Sequence, residues 1–239
     1  MTTLVKILVT AFLSLFLASC NMNFNGIQGE GEVIRKEKTI DKAFTGVKAS
    51  KGLDVILIKS DDAKVIVEAN ENLHQHIEVY VENNTLYVTS DKNIYRADEK
   101  NVFVSYKSLN KIASSSGASI SSEATVVERN LTLKASSGSD IELSVRAETL
   151  QSSVSSGAHI ELSGQANRHD AKASSGADIK SRDMESLIAS ATASSGSSIK
   201  IHAKQEFRGK ASSGADINYY GNPEKIDEVE NSGGNVRRN

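Results

Sequence analysis

KASSGSDIEL (134–143), KASSGADIKS (172–181) and KASSGADINY (210–219) write one pattern, Ala-Ser-Ser-Gly-x-Asp-Ile, three times in a chain of 239 residues. Blurred copies stand between them. Aligned on the glycine of Ser-Ser-Gly, the set is Gly117, Gly138, Gly157, Gly176, Gly196, Gly214 and a degenerate Gly233, at intervals of 21, 19, 19, 20, 18 and 19 residues. An earlier outlier, KASKGLDVIL around Gly52, carries the same signature. Near-regular copies at this period mark stacked units, each too small to bury an apolar face alone.

Read as columns, the copies alternate. Three residues after each glycine stand Ile120, Ile141, Ile160, Ile179, Ile199, Ile217 and Val236. The positions one after and three before are small, and five after are Leu143, Leu162, Ile201 and Tyr219. Even offsets are polar: Lys134, Lys172 and Lys210 four before; Ser119, Asp140, His159, Asp178, Ser198, Asp216 and Asn235 two after. Period two is the strand pattern. Helical repeats are excluded, because apolar spacing of three and four is missing and each internal glycine would cost about 1 kcal/mol.

The expectation is an all-β chain: a parallel β-solenoid (β-helix) of stacked coils of about 20 residues. In KASSGSDIEL, Ala135, Ser137, Ser139, Ile141 and Leu143 should point inward; Lys134, Ser136, Asp140 and Glu142 should point out. A second apolar column, Leu131, Leu150, Ala189, Phe207 and Ile226, is interrupted by Asn110 and His169. The serines before each glycine are expected to form hydrogen-bonded ladders along the stack. The N-terminal half is strand-rich without the tight period. It is expected to have longer strands, to begin the same sheet and to cap the stack, with an Asn-Asn hairpin turn in ENNTLYV.

The first twenty residues read separately. MTTLVK precedes the apolar ILVTAFLSLFLA, which is too short for a membrane span and reads as a secretory leader. It ends in Leu17-Ala18-Ser19-Cys20, which resembles a bacterial lipobox, and Cys20 is the one cysteine of the chain. A disulfide framework is therefore excluded. The expected organisation is a lipoprotein signal peptide (1–19), a lipidated tether (20–30) and one β-helical domain (31–239), with the N-terminal lipid anchoring the chain to a membrane. Asn21 in place of Asp leans toward the outer membrane.

The two-after column, Asp140, His159, Asp178, Ser198 and Asp216, is the candidate polar ladder. No two aspartates fall in adjacent coils. Carboxylates one strand spacing apart would repel by about 1 kcal/mol in water and about 3.5 kcal/mol at an effective dielectric of 20. Calcium or a glycan would suit such a ladder; polar bend residues bonded to nearby amides explain it without a ligand. His74-Gln75-His76 could set two imidazoles on one strand face, but a zinc site needs a third ligand, so no metal or other cofactor is expected. A glycosidase would need two carboxylates facing one cleft, and the acids are scattered. Ser-Ser-Gly is no phosphate loop, since no Gly-Lys-Ser/Thr follows. With 28 basic and 30 acidic residues, nucleic-acid binding is not expected.

From about Ile40 to Val236, on AFTGVKASKGLDVILIKS, VIVEANENLHQHIEVYVENNTLYVTS and SLNKIASSSGASI leading into the SSGADI copies, the chain resembles the auto-transporter adhesin head GIN domain family of Bacteroidetes lipoproteins. The resemblance implies a β-helical fold and carries no catalytic motif. The expected function is a non-catalytic, adhesin-like binding module of the cell envelope, with a glycan or protein surface as ligand. The alternatives are a periplasmic structural or signalling scaffold, and a polysaccharide-acting β-helix enzyme.

Overall fold

The Ser-Ser-Gly corner sets the fold. In the computed structural model, which describes residues 26–239, the second serine and the glycine of each copy are both left-handed, as in Ser137 (φ 57°) and Gly138 (φ 65°) or Ser175 (φ 55°) and Gly176 (φ 67°). Positive φ at both central residues defines a type I′ turn. Where alanine follows the glycine, the first serine's carbonyl accepts the N–H three residues on: Ser155 from Ala158 at 3.3 Å, Ser174 from Ala177 at 3.3 Å, Ser212 from Ala215 at 3.2 Å. Where serine follows, its Oγ accepts from the first serine's N–H, as Ser139 from Ser136 and Ser197 from Ser194, both at 3.1 Å. A Cβ on Gly176 would meet nothing within 4 Å. Its conformation, not crowding, selects the glycine. Ser137 is therefore exposed at the corner rather than inward as its parity implied, because a turn residue belongs to neither strand's alternation.

Serine is a compromise in this position, since asparagine tolerates the left-handed region better. Ser175→Asn is expected to raise stability by about 0.5 kcal/mol, read as an upward shift of the thermal midpoint. An unchanged or lowered midpoint would show that the Ser175 side chain contributes something its exposed position does not suggest.

The serine ladder runs through the main chain, not the hydroxyls. Each glycine N–H donates to the left-handed serine carbonyl of the next coil: Gly117 to Ser137 at 3.1 Å, Gly138 to Ser156 at 3.1 Å, Gly157 to Ser175 at 3.2 Å, and onward to Gly214 and Ser232 at 3.3 Å. The outlier joins the same series, with Gly52 donating to Ser116 at 3.0 Å. KASKGLDVIL is thus the first coil of the stack.

Between corners the chain bends without a tight turn. Asp140–Ser155, His159–Ala173, Asp178–Ala193 and Ser198–Ser212 are continuous strands of 15 or 16 residues. They pair in parallel, placing Ile141 on Ile160, Ile160 on Ile179, Ile179 on Ile199 and Ile199 on Ile217. The register slips between Ser181 and Glu185, and again between Ser186 and Ile188. Bulges of this kind absorb extra residues, here in the 20-residue interval before Gly196.

The N-terminal half belongs to the same sheet, but its strands are shorter than the solenoid's, the reverse of the expectation. They run from two residues (Ile27–Gln28) to seven (Lys100–Tyr106). Gly46–Ala49 and Asp54–Lys59 stack in parallel on Lys111–Ser115 and Ser119–Ser122. Behind them the pairing turns antiparallel, through Val65–Asn70, Val33–Lys38 and the Ile77–Glu82/Thr85–Ser90 hairpin. Its two-residue turn is Asn83-Asn84, at φ 48° and 57°. Tight reversals shorten these strands, and the antiparallel layer covers the open end of the stack. Of the segment read as a tether, Ile27–Gln28 pairs with Ile94–Arg96. The leader and Cys20 lie outside the described residues.

The core is narrow and aliphatic. Ile141, Ile160, Ile179, Ile199 and Ile217 are fully buried, and Ala135, Ala173 and Ala211 line the facing wall. The second apolar column is also inside, with Leu131, Leu150, Ala189 and Phe207 buried and His169 buried among them, while Ile226 in the last coil is exposed. Phe207 stacks on Tyr219 with ring centroids 4.1 Å apart. Gly209 makes room for that ring, since a Cβ there would stand 2.9 Å from the Phe207 ring edge. The last long strand, Lys225–Asn231, is exposed along its length and carries Asp227, Glu228 and Glu230. Such charges discourage strand addition at an edge.

Candidate functional site: two faces of opposite charge

The register brings the candidate ladder together. Asp140 stacks on His159, His159 on Asp178, Asp178 on Ser198, and Ser198 on Asp216. Asn235 follows Asp216 at one end, and Ser119, Asp54, Asn101, Glu68 and Arg35 extend the column at the other. Asp54 was visible through the KASKGLDVIL copy. Asn101, Glu68 and Arg35 come from strands without a motif, and only the pairing finds them.

Every carboxylate in this column has non-carboxylate neighbours above and below. Ser119 Oγ donates to Asp54 Oδ1 at 2.7 Å, His159 Nδ1 lies 3.3 Å from Asp178 Oδ2, and Asn235 Nδ2 donates to Asp216 Oδ1 at 3.4 Å. Arg35 Nε donates to Glu68 Oε1 at 2.6 Å. That bond, with Asn101 beside it, holds the Glu68 carboxyl below the usual carboxylate range. The ladder largely satisfies itself across its rungs.

The next outward column does not interleave. Glu142 stacks on Glu161, and Lys180 on Lys200, with Lys180 Nζ 3.8 Å from Glu161 Oε2. These residues line a shallow groove of about 510 Å³ with Arg182 and Asp183. The face after the corner is acidic on balance: Asp54, Asp140, Asp178, Asp216, Glu142 and Glu161 outnumber Lys180, Lys200 and Arg237.

The face before the corner has the opposite sign. Its column of Lys48, Ala113, Lys134, Ser153, Lys172, Thr192 and Lys210 places a lysine on every second coil. The column beside it adds Lys111 and Arg208 against Asp170 and Asp227. A near-neutral chain therefore separates its charge across the Ser-Gly corner, which whole-chain composition could not show.

His74, His76 and His169 are engaged within the fold. His74 and His76 do not share a strand face: His74 lies within the turn Glu71–Gln75 and is buried, its Nε2 donating between the carbonyls of Ile34 (3.1 Å) and Ala69 (3.2 Å). Burial lowers its pKa. His76 Nδ1 instead meets Asp91 Oδ1 at 3.0 Å. Among the described residues no group of three His, Cys, Asp or Glu side chains is placed to hold a metal ion. His169 is wholly buried, shares a 2.8 Å hydrogen bond with Ser152 Oγ, and has its pKa lowered to about 4 by desolvation.

Fold and faces together define a class: a β-solenoid whose polar chemistry is spread along in-register ladders. The chain belongs to the family described as "Putative auto-transporter adhesin, head GIN domain", whose pattern matches residues 43–223. The resemblance read from the sequence therefore holds. A crystal structure of a "putative adhesin" from Bacteroides fragilis shares the fold at a TM-score of 0.83 and 16% identity, over 90% of this chain and 100% of that one. A "putative lipid binding protein" from Parabacteroides distasonis gives 0.74 and 18% over 89% and 99%, and a "putative adhesin" from Parabacteroides merdae 0.73 and 18% over 90% and 99%. At these identities the likeness shows the fold alone. No curated protein matches the chain.

Proposed function

We propose that this chain is a non-catalytic, adhesin-like binding module of the cell envelope, held on the outer membrane by a lipid on Cys20. The carrying observation is the separation of charge onto two regular faces. Ionisable groups follow in-register ladders from coil to coil, and the groove that six of them line is shallow and runs with those ladders, which suits multivalent contact with an extended partner. The anchor rests on the lipobox after an apolar leader. No helix among the described residues is long and apolar enough to cross a membrane. The family and neighbour descriptions as adhesins support the reading.

Growth with an alkyne-tagged fatty acid tests the anchor. The natural chain should take up the label and fractionate with membranes, and Cys20→Ser should lose both properties. A labelled Cys20→Ser variant, or an unlabelled natural chain, sinks the lipoprotein reading. Protease shaving of intact cells then separates a surface adhesin from a periplasmic scaffold, because the latter is cut only after the envelope is broken.

A further inference from the structure

We propose that the face before the corner binds an extended, sparsely charged acidic glycan, with one anionic group over every second coil. The inference rests on the envelope-binding reading above and names the ligand class and the face.

Spacing is the first argument. Lys134, Lys172 and Lys210 sit on alternate coils, so their backbones repeat at about 9.6 Å, two strand spacings. Ser153 and Thr192 between them are short. An extended β-linked glycan advances by roughly one strand spacing per sugar ring. One acidic sugar per disaccharide therefore keeps step with the lysines.

Availability is the second. Three of the four aspartates on the other face, Asp54, Asp178 and Asp216, are engaged by serine, histidine and asparagine across their rungs. Lys134, Lys172 and Lys210 are exposed, and among the described residues none of them makes an ion pair or a side-chain hydrogen bond. Three ammonium groups in line, held apart by neutral residues, are free for an external anion.

Shape and chemistry are the third. A shallow depression of about 450 Å³ lies between two of these lysines, lined by Lys134, Gln151, Ser153, Asp170, Lys172 and Ser190. Amide and hydroxyl groups match the hydroxyls of a sugar ring. Asp170 accepts from such hydroxyls and repels a dense polyanion. That carboxylate argues against nucleic acid, which carries a charge every ~1.7 Å along a duplex, and favours a polymer whose charges are wide apart.

The experiment titrates the full-length chain with an octasaccharide of hyaluronan, which carries one carboxylate per disaccharide. A neutral cello-oligosaccharide and polyphosphate serve as comparison probes. The expected result is saturable, salt-sensitive binding of the hyaluronan fragment in preference to both comparison probes. Lys134→Gln/Lys172→Gln/Lys210→Gln should weaken it at least tenfold with an unchanged melting temperature. Lys180→Gln/Lys200→Gln, on the opposite face, should leave it within twofold. No binding, equal loss from both variants, or stronger binding of polyphosphate overturns the proposal. So does self-association of the natural chain that the triple variant abolishes, since the lysines would then be serving a second copy. Adherence of cells carrying the triple variant keeps the two readings apart. If they attach as well as cells with the natural chain, the envelope-binding reading stands and only this face assignment falls.

Discussion

Gly164→Ala is expected to destabilise the chain by about 4 kcal/mol, whereas Gly157→Ala, seven residues earlier in the same coil, should cost about 1 kcal/mol. Both glycines have positive φ, 112° at Gly164 and 68° at Gly157. Their surroundings separate them. A Cβ on Gly157 would meet nothing within 4 Å, so alanine suffers only the left-handed backbone. A Cβ on Gly164 would press into the carbonyl oxygen of Val145 and stand 3.0 Å from its carbonyl carbon. Val145 is its register partner in the preceding coil. Backbone on both sides must move, and neither can without breaking the parallel ladder.

The consequence extends beyond one site because the molecule is quasi-one-dimensional. Each coil is held chiefly by its neighbours, so weakening one interface uncouples the blocks on either side. Urea unfolding of Gly164→Ala should broaden or split into two transitions. Hydrogen exchange should lose protection first in Asp140–Ser155 and His159–Ala173. One sharp transition with a loss near that of Gly157→Ala would show that the coil yields at this bend, contrary to the close approach.

The contrast also shows what the sequence made legible. The repeated glycines announce themselves through Ser-Ser-Gly, and their period gave the coil, the buried isoleucine column and the polar ladder. Gly164 lies outside that motif, in a stretch reading HIELSGQAN, and nothing in its spacing marks it. Its necessity comes from contact with the neighbouring coil, which one coil's sequence does not contain. The same limit hid Arg35, Glu68 and Asn101 from the ladder: a parallel pair sets Asn101 on Asp54, and antiparallel pairing behind it adds Glu68 and Arg35, all without periodicity. Ser137 was misplaced for a local reason: alternation holds within a strand and lapses in a left-handed turn. The lysine column was visible as a period, but its meaning needed the pairing. The alignment on glycine sets Ala113, Ser153 and Thr192 between the lysines; the register adds that these residues are direct neighbours, and that the opposite sign lies across the corner.

His169 should make the protein acid-sensitive by about 3 kcal/mol. The imidazole stands in the second apolar column, stacked in register between Leu150 and Ala189, and is wholly buried. Its Nε2 meets Ser152 Oγ at 2.8 Å, while its Nδ1 has no partner among the described residues. Burial lowers its pKa from 6.5 to about 4. In the unfolded chain the ring regains its ordinary value. Between those two values the unfolded state binds a proton that the folded state refuses, so stability falls as pH drops. It is unaffected by this residue above pH 6.5, and the full loss is reached once pH falls to about 4. Carboxylates titrate in the same range, so the natural chain's pH curve alone does not isolate the histidine. Ser152→Ala/His169→Leu does. It removes the ring and the hydroxyl together, leaving no orphaned partner, and continues the Leu131–Leu150 column with a residue of similar bulk. Urea midpoints at pH 7.5 and pH 4.5 should converge for the double variant relative to the natural chain. The variant should hold an advantage of about 2–3 kcal/mol at the lower pH beyond any difference at the higher. Parallel curves would mean that His169 is already protonated inside the fold, with water or a rearranged carbonyl reaching Nδ1. His169→Leu alone should share the acid advantage but lose about 1–3 kcal/mol at both pH values, because Ser152 is then buried without its partner.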